Sequence, residues 1–519
     1  MKDVPEGWVL ARMKDVVCIN PTKAKPDYDD QTPLVFVPMA RVAEEFGGID
    51  VTERRAFAAI KRGYTQFQPG DVLFAKITPC MENGKIAIVP EIQPPLGYGS
   101  TEFFVLRLHT DGMGPWIGYC LSRSEFRDQA RRNMQGAVGQ LRVRKIWLED
   151  VKIPLAPIAE QQRVVARIES LFARLDIGIT ALERAEANLE HYRASVLKAA
   201  VEGRMTQQWR KENPPEEAGE DLLRRILAER RKHWEEEQLA KFKAKEKRPP
   251  KNWENKYKEP VEPDAGNLPP LPKGWCWATV DQVAEVTGGL TKNPARSGLP
   301  VKYPYLRVAN VYADEIRLDD VRMIGVSEAE LDRVALRPGD LLIVEGNGSA
   351  EQIGRVAEWR GGLEPCCHQN HLIKVRCAPS IRSRWLLTWL LSPRGRQAVL
   401  AKASSTSGLY TLSLSKVRAL PIPLAPIREQ VRAVRSADLL CDTGRDVQDQ
   451  VEAGMALRAP ALRQSILKRA VEGRLVPQDP NDEPASVLLE RIRLERDAEG
   501  NKRRRRSSKP KRKRMSQVT

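Results

Sequence analysis

The sequence predicts an α+β protein: two duplicated α/β domains alternating with two long helical, coiled-coil spacer regions in a pseudo-twofold arrangement. Three observations carry this. The chain repeats itself at a distance near 270 residues, each copy opens with short β-rich runs bounded by Pro and Gly, and each copy continues into a long stretch of helical periodicity.

The repeat rests on six matches in the same order, between 266 and 270 residues apart. Pro5-Glu-Gly-Trp8 recurs as Pro272-Lys-Gly-Trp275, Pro69-Gly-Asp-Val-Leu73 as Pro338-Gly-Asp-Leu-Leu342, and Trp116 as Trp385. Ile153-Pro-Leu-Ala-Pro-Ile158 recurs as Ile422-Pro-Leu-Ala-Pro-Ile427, with Glu160-Gln161 and Glu429-Gln430 in the same register. Leu197-Lys-Ala-Ala-Val-Glu-Gly-Arg204 recurs as Leu467-Lys-Arg-Ala-Val-Glu-Gly-Arg474, and the pattern of 222–230 returns at 488–496. A period this long is a duplicated domain pair rather than a solenoid, and in space a duplication of this kind makes a pseudo-twofold molecule.

In the first copy, strands are expected at 34–37, 72–77, 85–89 and 103–108, and one helix near 116–132. The second copy mirrors them with strands at 341–344 and 372–375 and a helix from about Trp385. Pro154-Leu-Ala-Pro157 and Pro423-Leu-Ala-Pro426 stop a strand and start a helix, the second proline suiting a first helical turn. Beyond Pro157, Ile168, Leu175, Leu182, Leu189 and Val196 step strictly by seven, with Leu171, Ile179, Ala185 and Tyr192 between them, an a/d seam over four heptads. Some 45 such residues make a rod of about 65–70 Å at 1.5 Å per residue. Val447, Val451, Met455, Leu462 and Ile466 give a less regular stripe in the second copy, which Pro460 should kink or break. Residues 222–247 read as a charged helix, and 249–272 as an extended Pro-rich linker. The divisions are therefore 1–156 (first α/β domain), 157–248 (helical spacer with charged helix), 249–271 (linker), 272–425 (second α/β domain), 426–500 (helical spacer) and 501–519 (basic, disordered tail).

Composition narrows the function. In 519 residues, 85 Lys and Arg stand against 68 Asp and Glu, a net charge of +17 that points to a polyanionic partner, most simply nucleic acid. Ten basic residues and no acid fall within 502–514, leaving +7 for the rest. That run reads as a nonspecific nucleic-acid arm or a solubilising tail. A hydrophobic share of 41% supports folded cores. The mean hydropathy of −0.46 and the absence of a long apolar run argue against a membrane span. With no apolar leader after Met1 and eight scattered cysteines, a reduced cytoplasmic setting is expected.

Catalytic signatures are missing. No phosphate-binding G-x-x-x-x-G-K-[ST] loop occurs. Asn213-Pro-Pro-Glu216 opens like an amino-methyltransferase motif but lacks the aromatic residue that would stack on a flipped base. Cys366-Cys-His-Gln-Asn-His371 with Cys377 offers soft ligands in the style of a zinc site. Adjacent cysteines in a strand point to opposite faces, however, and the equivalent 100–104 of the first copy has no such ligands, so neither a metal nor a catalytic residue is expected. Gln369 and Asn370 there suit base edges or phosphates better. The repeated tryptophans Trp8, Trp275, Trp116 and Trp385 read as core.

Taken in order and twice over, P-x-G-W, P-G-D-(V/L)-L, I-P-L-A-P-I-x-E-Q and A-V-E-G-R resemble the specificity (S) subunit of type I restriction–modification systems. The stretch Gly70-Asp-Val-Leu-Phe-Ala-Lys-Ile-Thr-Pro-Cys-Met-Glu-Asn-Gly84 is a close match, and the resemblance covers all but the basic tail. It implies that each α/β part is a target recognition domain reading one half of a bipartite double-stranded DNA sequence, with the long helices as a ruler. It further implies two modification subunits that carry S-adenosylmethionine and methylate adenine, and restriction subunits that use ATP and Mg2+ to translocate and cleave DNA. No cofactor, metal or catalytic residue is expected in this chain itself.

Recognition residues should lie where the two copies differ. In the first, the candidates are Gln140, Arg142, Arg144 and Lys145, with Lys76 and Lys85 near the Gly-Asp-Val-Leu turn. In the second they are Asn347, Ser349, Gln352, Gln369, Asn370, Tyr410 and Ser413. Arg and Lys suit guanine or phosphate, Asn and Gln suit adenine. A competing reading is a coiled-coil adaptor that binds nucleic acid without sequence preference through its basic tail, but an adaptor has no need of two α/β domains.

Overall fold

The computed structural model describes residues 4–137, 139–264, 266, 268–406, 409–453 and 458–507. The chain divides into two compact units, 1–183 with 452–519, and 184–451. The fold is α+β, with long helices and several small sheets.

In the first unit, Val9–Arg12 pairs antiparallel with Lys152–Leu155, so the domain's entrance and exit lie side by side. A four-stranded antiparallel sheet follows in the order Val17–Ile19, Phe103–Leu108, Val72–Ala75, Ile86–Ile88. A second sheet runs Arg54–Ala56, Pro33–Val37, Gly97–Gly99, Thr65–Phe67, and its central pair is parallel. The single helix expected near 116–132 is two, Gly114–Ser122 and Ser124–Arg132, because Arg123 between them is extended.

The second unit repeats the plan. Cys276–Thr279 pairs with Pro421–Leu424, and the sheet order is Ala284–Gly288, Leu372–Cys377, Leu341–Val344, Val356–Glu358. A three-stranded sheet of Arg322–Gly325, Lys302–Leu306 and Cys367–His368 has the parallel pair. The helices are Ser383–Leu391 and Pro393–Lys402, broken at Ser392 before the proline.

The shared motifs are the ties of this scaffold. The Pro-Gly-Asp turns need a left-handed glycine, and Gly70 (φ +81°) and Gly339 (φ +95°) supply it. The aspartate that follows takes a backbone N–H three residues upstream and a two-pronged guanidinium. Arg107 donates to Asp71 at 2.8 and 2.7 Å, and Arg376 to Asp340 at 2.7 and 2.6 Å. The tryptophans are core, and their indole N–H groups are satisfied. Trp116 donates to the Pro154 carbonyl at 3.0 Å and Trp385 to that of Pro423 at 2.9 Å. Each meets the P-x-G-W tryptophan edge to face, Trp8 at 5.5 Å and Trp275 at 5.4 Å between centroids.

Each domain packs on the A-V-E-G-R segment of the other copy. In the first unit a Cβ on Gly473 would lie 2.4 Å from Pro5 Cγ, and in the second a Cβ on Gly203 would lie 2.8 Å from Pro272 Cγ. Glycine is required at both for this close approach. The backbone N–H of Ala485 donates to Gly7 O at 2.8 Å, and that of Gly219 to Gly274 O at 2.7 Å.

The heptad seam forms one helix, Ile158–Val201, on which Ile168 and Val196 are buried and Leu175, Leu182 and Leu189 half-buried, while Tyr192 is exposed. In the second unit Val196, Leu197 and Ala200 pack with Ala437 and Cys441, and a Cβ on Gly444 would touch Leu189, so the helix Ile427–Ala453 runs antiparallel there. Pro460 lies in the first turn of the separate helix Ala459–Val471, where its missing N–H is harmless. Val447 and Val451 lie on helical backbone and Met455 outside the described residues; Ile466 packs against the first unit's core, but Leu462 is 50% exposed. Leu467, Ala470 and Val471 fill the core beside Ile466. The charged helix spans Gly219–Ala244. The helix Ala485–Ser507 carries the first part of the basic run, 502–507, which is therefore helical backbone and not the disordered tail expected; 508–519 lie outside the described residues.

Candidate nucleic-acid interface

In each unit the sheet that carries the Pro-Gly-Asp turn ends in a long connection, and a short hairpin is laid against it. In the first unit this connection is 76–85 and the hairpin pairs Met134–Gln135 with Arg142–Val143. The two are joined by the Ile77–Arg142 bridge, by Val143 N–H to Lys76 O at 2.8 Å and by Thr78 N–H to Leu141 O at 3.0 Å. In the second unit Gly346–Asn347 pairs with Leu409–Thr411, which pairs in turn with Ser404–Thr406. Leu412 N–H closes the same junction on Glu345 O at 2.7 Å.

Lys76, Gln140 and Arg142 are thereby brought together, but the two cations are engaged. Arg142 grips the carboxylate of Glu102 at 2.9–3.2 Å through Nε and Nη2, and this guanidinium holds the Glu102 carboxyl below the usual range. Lys76 Nζ donates to Thr101 O at 2.7 Å and lies over the Phe104 ring. Gln140 is exposed at the hairpin turn. Arg144 is exposed at the start of the helix Lys145–Asp150, where Lys145 pairs with Glu149 at 3.5 Å. Lys85 sits at the root of the connection, half-buried, with Nζ at 3.4 Å from Met39 O.

In the second unit, Asn347 lies opposite Tyr410 and accepts Ser349 N–H at 3.0 Å, so these three are neighbours. Gln352 is exposed in the turn that Ser349 opens, its N–H on Ser349 O. Ser413 caps the helix Leu414–Arg418 and hydrogen-bonds Ser415. Gln369 and Asn370 are half-buried, their backbone N–H groups tied to Leu306 O and Leu290 O at the edge of the parallel-pair sheet.

One pair was not among the sequence candidates. His371 Nδ1 lies 3.4 Å from Glu345 Oε2, at the positions that Glu102 and Lys76 occupy in the first copy. The sense of charge is reversed: cation then anion in one unit, anion then imidazole in the other. The signal was available in the repeat register, where both residues lie 269 after their counterparts.

The soft-ligand cluster is dispersed. Cys366 and Cys367 are buried in two different apolar cores, and burial pushes their thiols up to about 12 and about 11. His368 is buried with Nδ1 at 3.0 Å from Val334 O, whereas His371 is exposed. Among the described residues no three His, Cys, Asp or Glu side chains come together as a metal site. Asn213 donates its amide to Trp209 O at 2.9 Å and so caps a helix end. No helix among the described residues is long and apolar enough to cross a membrane.

Two copies of one α/β scaffold with matching ties and unlike rims, joined to long helices, define the class of protein: a duplicated α+β fold. No protein-family model matches the chain. Against curated proteins, it is similar to the type I restriction enzyme EcoKI specificity subunit of Escherichia coli K12, 25% identical over 96% of this chain and 97% of that one. The EcoAI specificity subunit of Escherichia coli is also 25% identical, over 85% of this chain and 78% of that one. Among solved structures, one from a study of type I restriction–modification complex assembly superposes with a TM-score of 0.64 at 20% identity, covering 91% of this chain and all of that one. The HsdS subunit of Thermoanaerobacter tengcongensis gives 0.53 at 19% identity, covering 91% and 98%. The chain is thus similar to the type I specificity subunits over most of its length and has the HsdS fold.

Proposed function

We propose that this chain is the DNA target-recognition subunit of a type I restriction–modification complex. Each α/β domain reads one half of a bipartite duplex target, and the long helices set the distance between halves. Domains reading major grooves on one DNA face must sit about one helical turn apart, roughly 34 Å, which a rigid helix pair can fix and a flexible linker cannot. The observation that carries the reading is the contrast between ties and rims. The Trp, Asp–Arg and Gly contacts recur in both units, while Lys76, Glu102 and Arg142 are replaced by Glu345, His371 and Thr411 at the equivalent positions. Selection of two different half-sites by one duplicated frame calls for that division.

The chain itself carries out no bond chemistry in this reading. Two modification subunits bring S-adenosylmethionine and methylate adenine. Restriction subunits bring ATP- and Mg2+-dependent translocation and cleavage, and the complex works in the cytoplasm. Co-expression with the modification subunit and purification through a tag on this chain tests it. The expected result is a stable complex of one chain with two modification subunits that binds target duplex in preference to scrambled duplex. Failure to assemble, or equal affinity for both, would refute it.

A further inference from the structure

The charged helix Gly219–Ala244 does not end in the linker that its sequence suggests. Its first half is anchored in the second unit, with Leu222 and Ile226 buried and Arg230 donating to Ala284 O at 3.2 Å. At its far end the chain turns back. Glu246 takes a left-handed φ of +50°, its N–H donates to Lys243 O at 3.0 Å and that of Lys247 to Phe242 O at 3.0 Å, the pair of hydrogen bonds that closes a helix and reverses the chain. The returning segment lays Trp253 on Trp234 (5.7 Å between centroids, 21° between planes), with Tyr257 and Phe242 edge-on to these rings. A small aromatic core thus builds a knob at the helix end.

The knob is strongly basic. Residues 241–258 hold eight Lys or Arg against two Glu. Lys243, Lys245, Lys247 and Lys251 are exposed, and among the described residues no ion pair engages them. The helix macrodipole accounts for cations in its last turn, which covers Lys241 and Lys243 but not Lys245, Lys247 and Lys251 beyond it. In the other copy the equivalent helix, Ala485–Ser507, carries five of the ten basic residues of 502–514.

We infer that the 241–258 knob is a further DNA-contact site, built from residues that belong to neither recognition rim, which grips the phosphate backbone of duplex DNA without reading sequence. Its aromatic rings are spent on one another, so they are not free to stack on unpaired bases, and the presented groups are ammonium donors that suit phosphates. This rests on the DNA-recognition reading above and adds a sequence-independent grip to it.

The test uses the full chain with Lys243, Lys245, Lys247 and Lys251 all changed to Gln, and a companion with all four changed to Arg. Affinity is measured over a salt series for a target duplex, a scrambled duplex and a scrambled single strand, with far-ultraviolet dichroism and tryptophan emission as checks of the fold. Each phosphate contact contributes about 0.9 to the slope of log affinity against log salt, so the Gln variant should be shallower by about 3–4 on both duplexes, with the ratio of target to scrambled affinity unchanged and the Arg variant like the parent. An unchanged slope, an altered target ratio, a loss confined to the single strand, or an Arg variant as weak as the Gln variant would each overturn the inference. Should the parent chain show no preference for its target duplex, the recognition reading itself fails, a distinct result.

Discussion

The indole of Trp8 donates to Glu160 Oε2 at 2.8 Å, and 267 residues later the indole of Trp275 donates to Glu429 Oε2 at the same 2.8 Å. The two carboxylates nevertheless live differently. Glu429 also accepts from Arg210 at 2.8 Å and Thr206 at 2.6 Å, whereas burial raises the Glu160 carboxyl above its usual range and leaves its other oxygen without a hydrogen bond. Glu429→Gln should therefore destabilise by about 1–2 kcal/mol, since Arg210 loses a charged acceptor in a half-buried site. Glu160→Gln should be close to neutral below about pH 4.5 and stabilising above it. A group whose folded pKa is raised binds its proton more tightly when folded, so the parent loses stability as pH rises above about 4.5, and Glu160→Gln removes that loss. Urea unfolding of both variants across pH checks this; equal costs would contradict it.

The Arg142–Glu102 fork separates a reading residue from a structural one. If Arg142 exchanges Glu102 for DNA on binding, Arg142→Ala weakens binding to duplexes that keep the first unit's half-site and has no effect where only the other half-site remains. Glu102→Gln, which loosens the grip on the guanidinium, should strengthen binding to the same half-site. Competition binding with half-site duplexes is the measurement, and parallel losses in both variants would show that the pair merely holds the hairpin.

The loop that meets the long helices is aromatic in one unit and ionic in the other. Phe46 (φ +62°) packs edge-on to Tyr119 at 4.9 Å, and Tyr119 to Phe172 at 6.0 Å. At the equivalent turn Asp314 (φ +62°) accepts from Arg384 at 3.1 Å and from Arg193 at 3.2 Å. Asp314→Ala should cost about 3 kcal/mol by leaving half-buried guanidinium groups short of their anion. Phe46→Ala should cost about 2–4 kcal/mol through lost packing. Only the first loss should shrink in high salt; denaturant midpoints at two ionic strengths distinguish them.

Two buried bases make the second unit sensitive to pH at both ends. Burial drives His368 down to about 4 and Lys374 down to about 8, the latter with its ammonium on Arg333 O at 2.6 Å. For both, the unfolded chain takes the proton more readily. Stability should thus fall as pH drops from 6.5 towards about 4, and rise as pH climbs from about 8 to 10.5. His368→Asn, which keeps a donor for Val334 O, should flatten the acid limb. Lys374→Met should flatten the alkaline limb, and Val105 at the equivalent position of the first copy shows that an apolar residue fits the frame. Thermal midpoints against pH for the two variants decide it.

The ties were legible because they are local or repeated. The Pro-Gly-Asp turn, the Pro-Leu-Ala-Pro helix starts and the heptad of 168–196 each state their own geometry. Contacts across the chain were not. Nothing local announces that Gly473 serves Pro5 rather than its own copy's Pro272, or that Glu102 would occupy Arg142. The helix break at Arg123 has no proline or glycine to announce it, whereas Pro393 marks the one at Ser392, and Leu462 followed the stripe in sequence yet faces solvent. Of the rim, the residue types were readable but their neighbours were not, because a loop's partners are fixed by the sheet beneath it.

Two unlike rims on one duplicated frame should read two unlike half-sites. Mapping methylated adenines genome-wide in cells carrying this chain and its modification partner tests it directly, when repeated after Asn347 and Tyr410 in the second unit's rim are changed to Ala. The expected motif is gapped and bipartite, with only one half relaxed by the change. A continuous motif, no motif, or simultaneous change of both halves would contradict it.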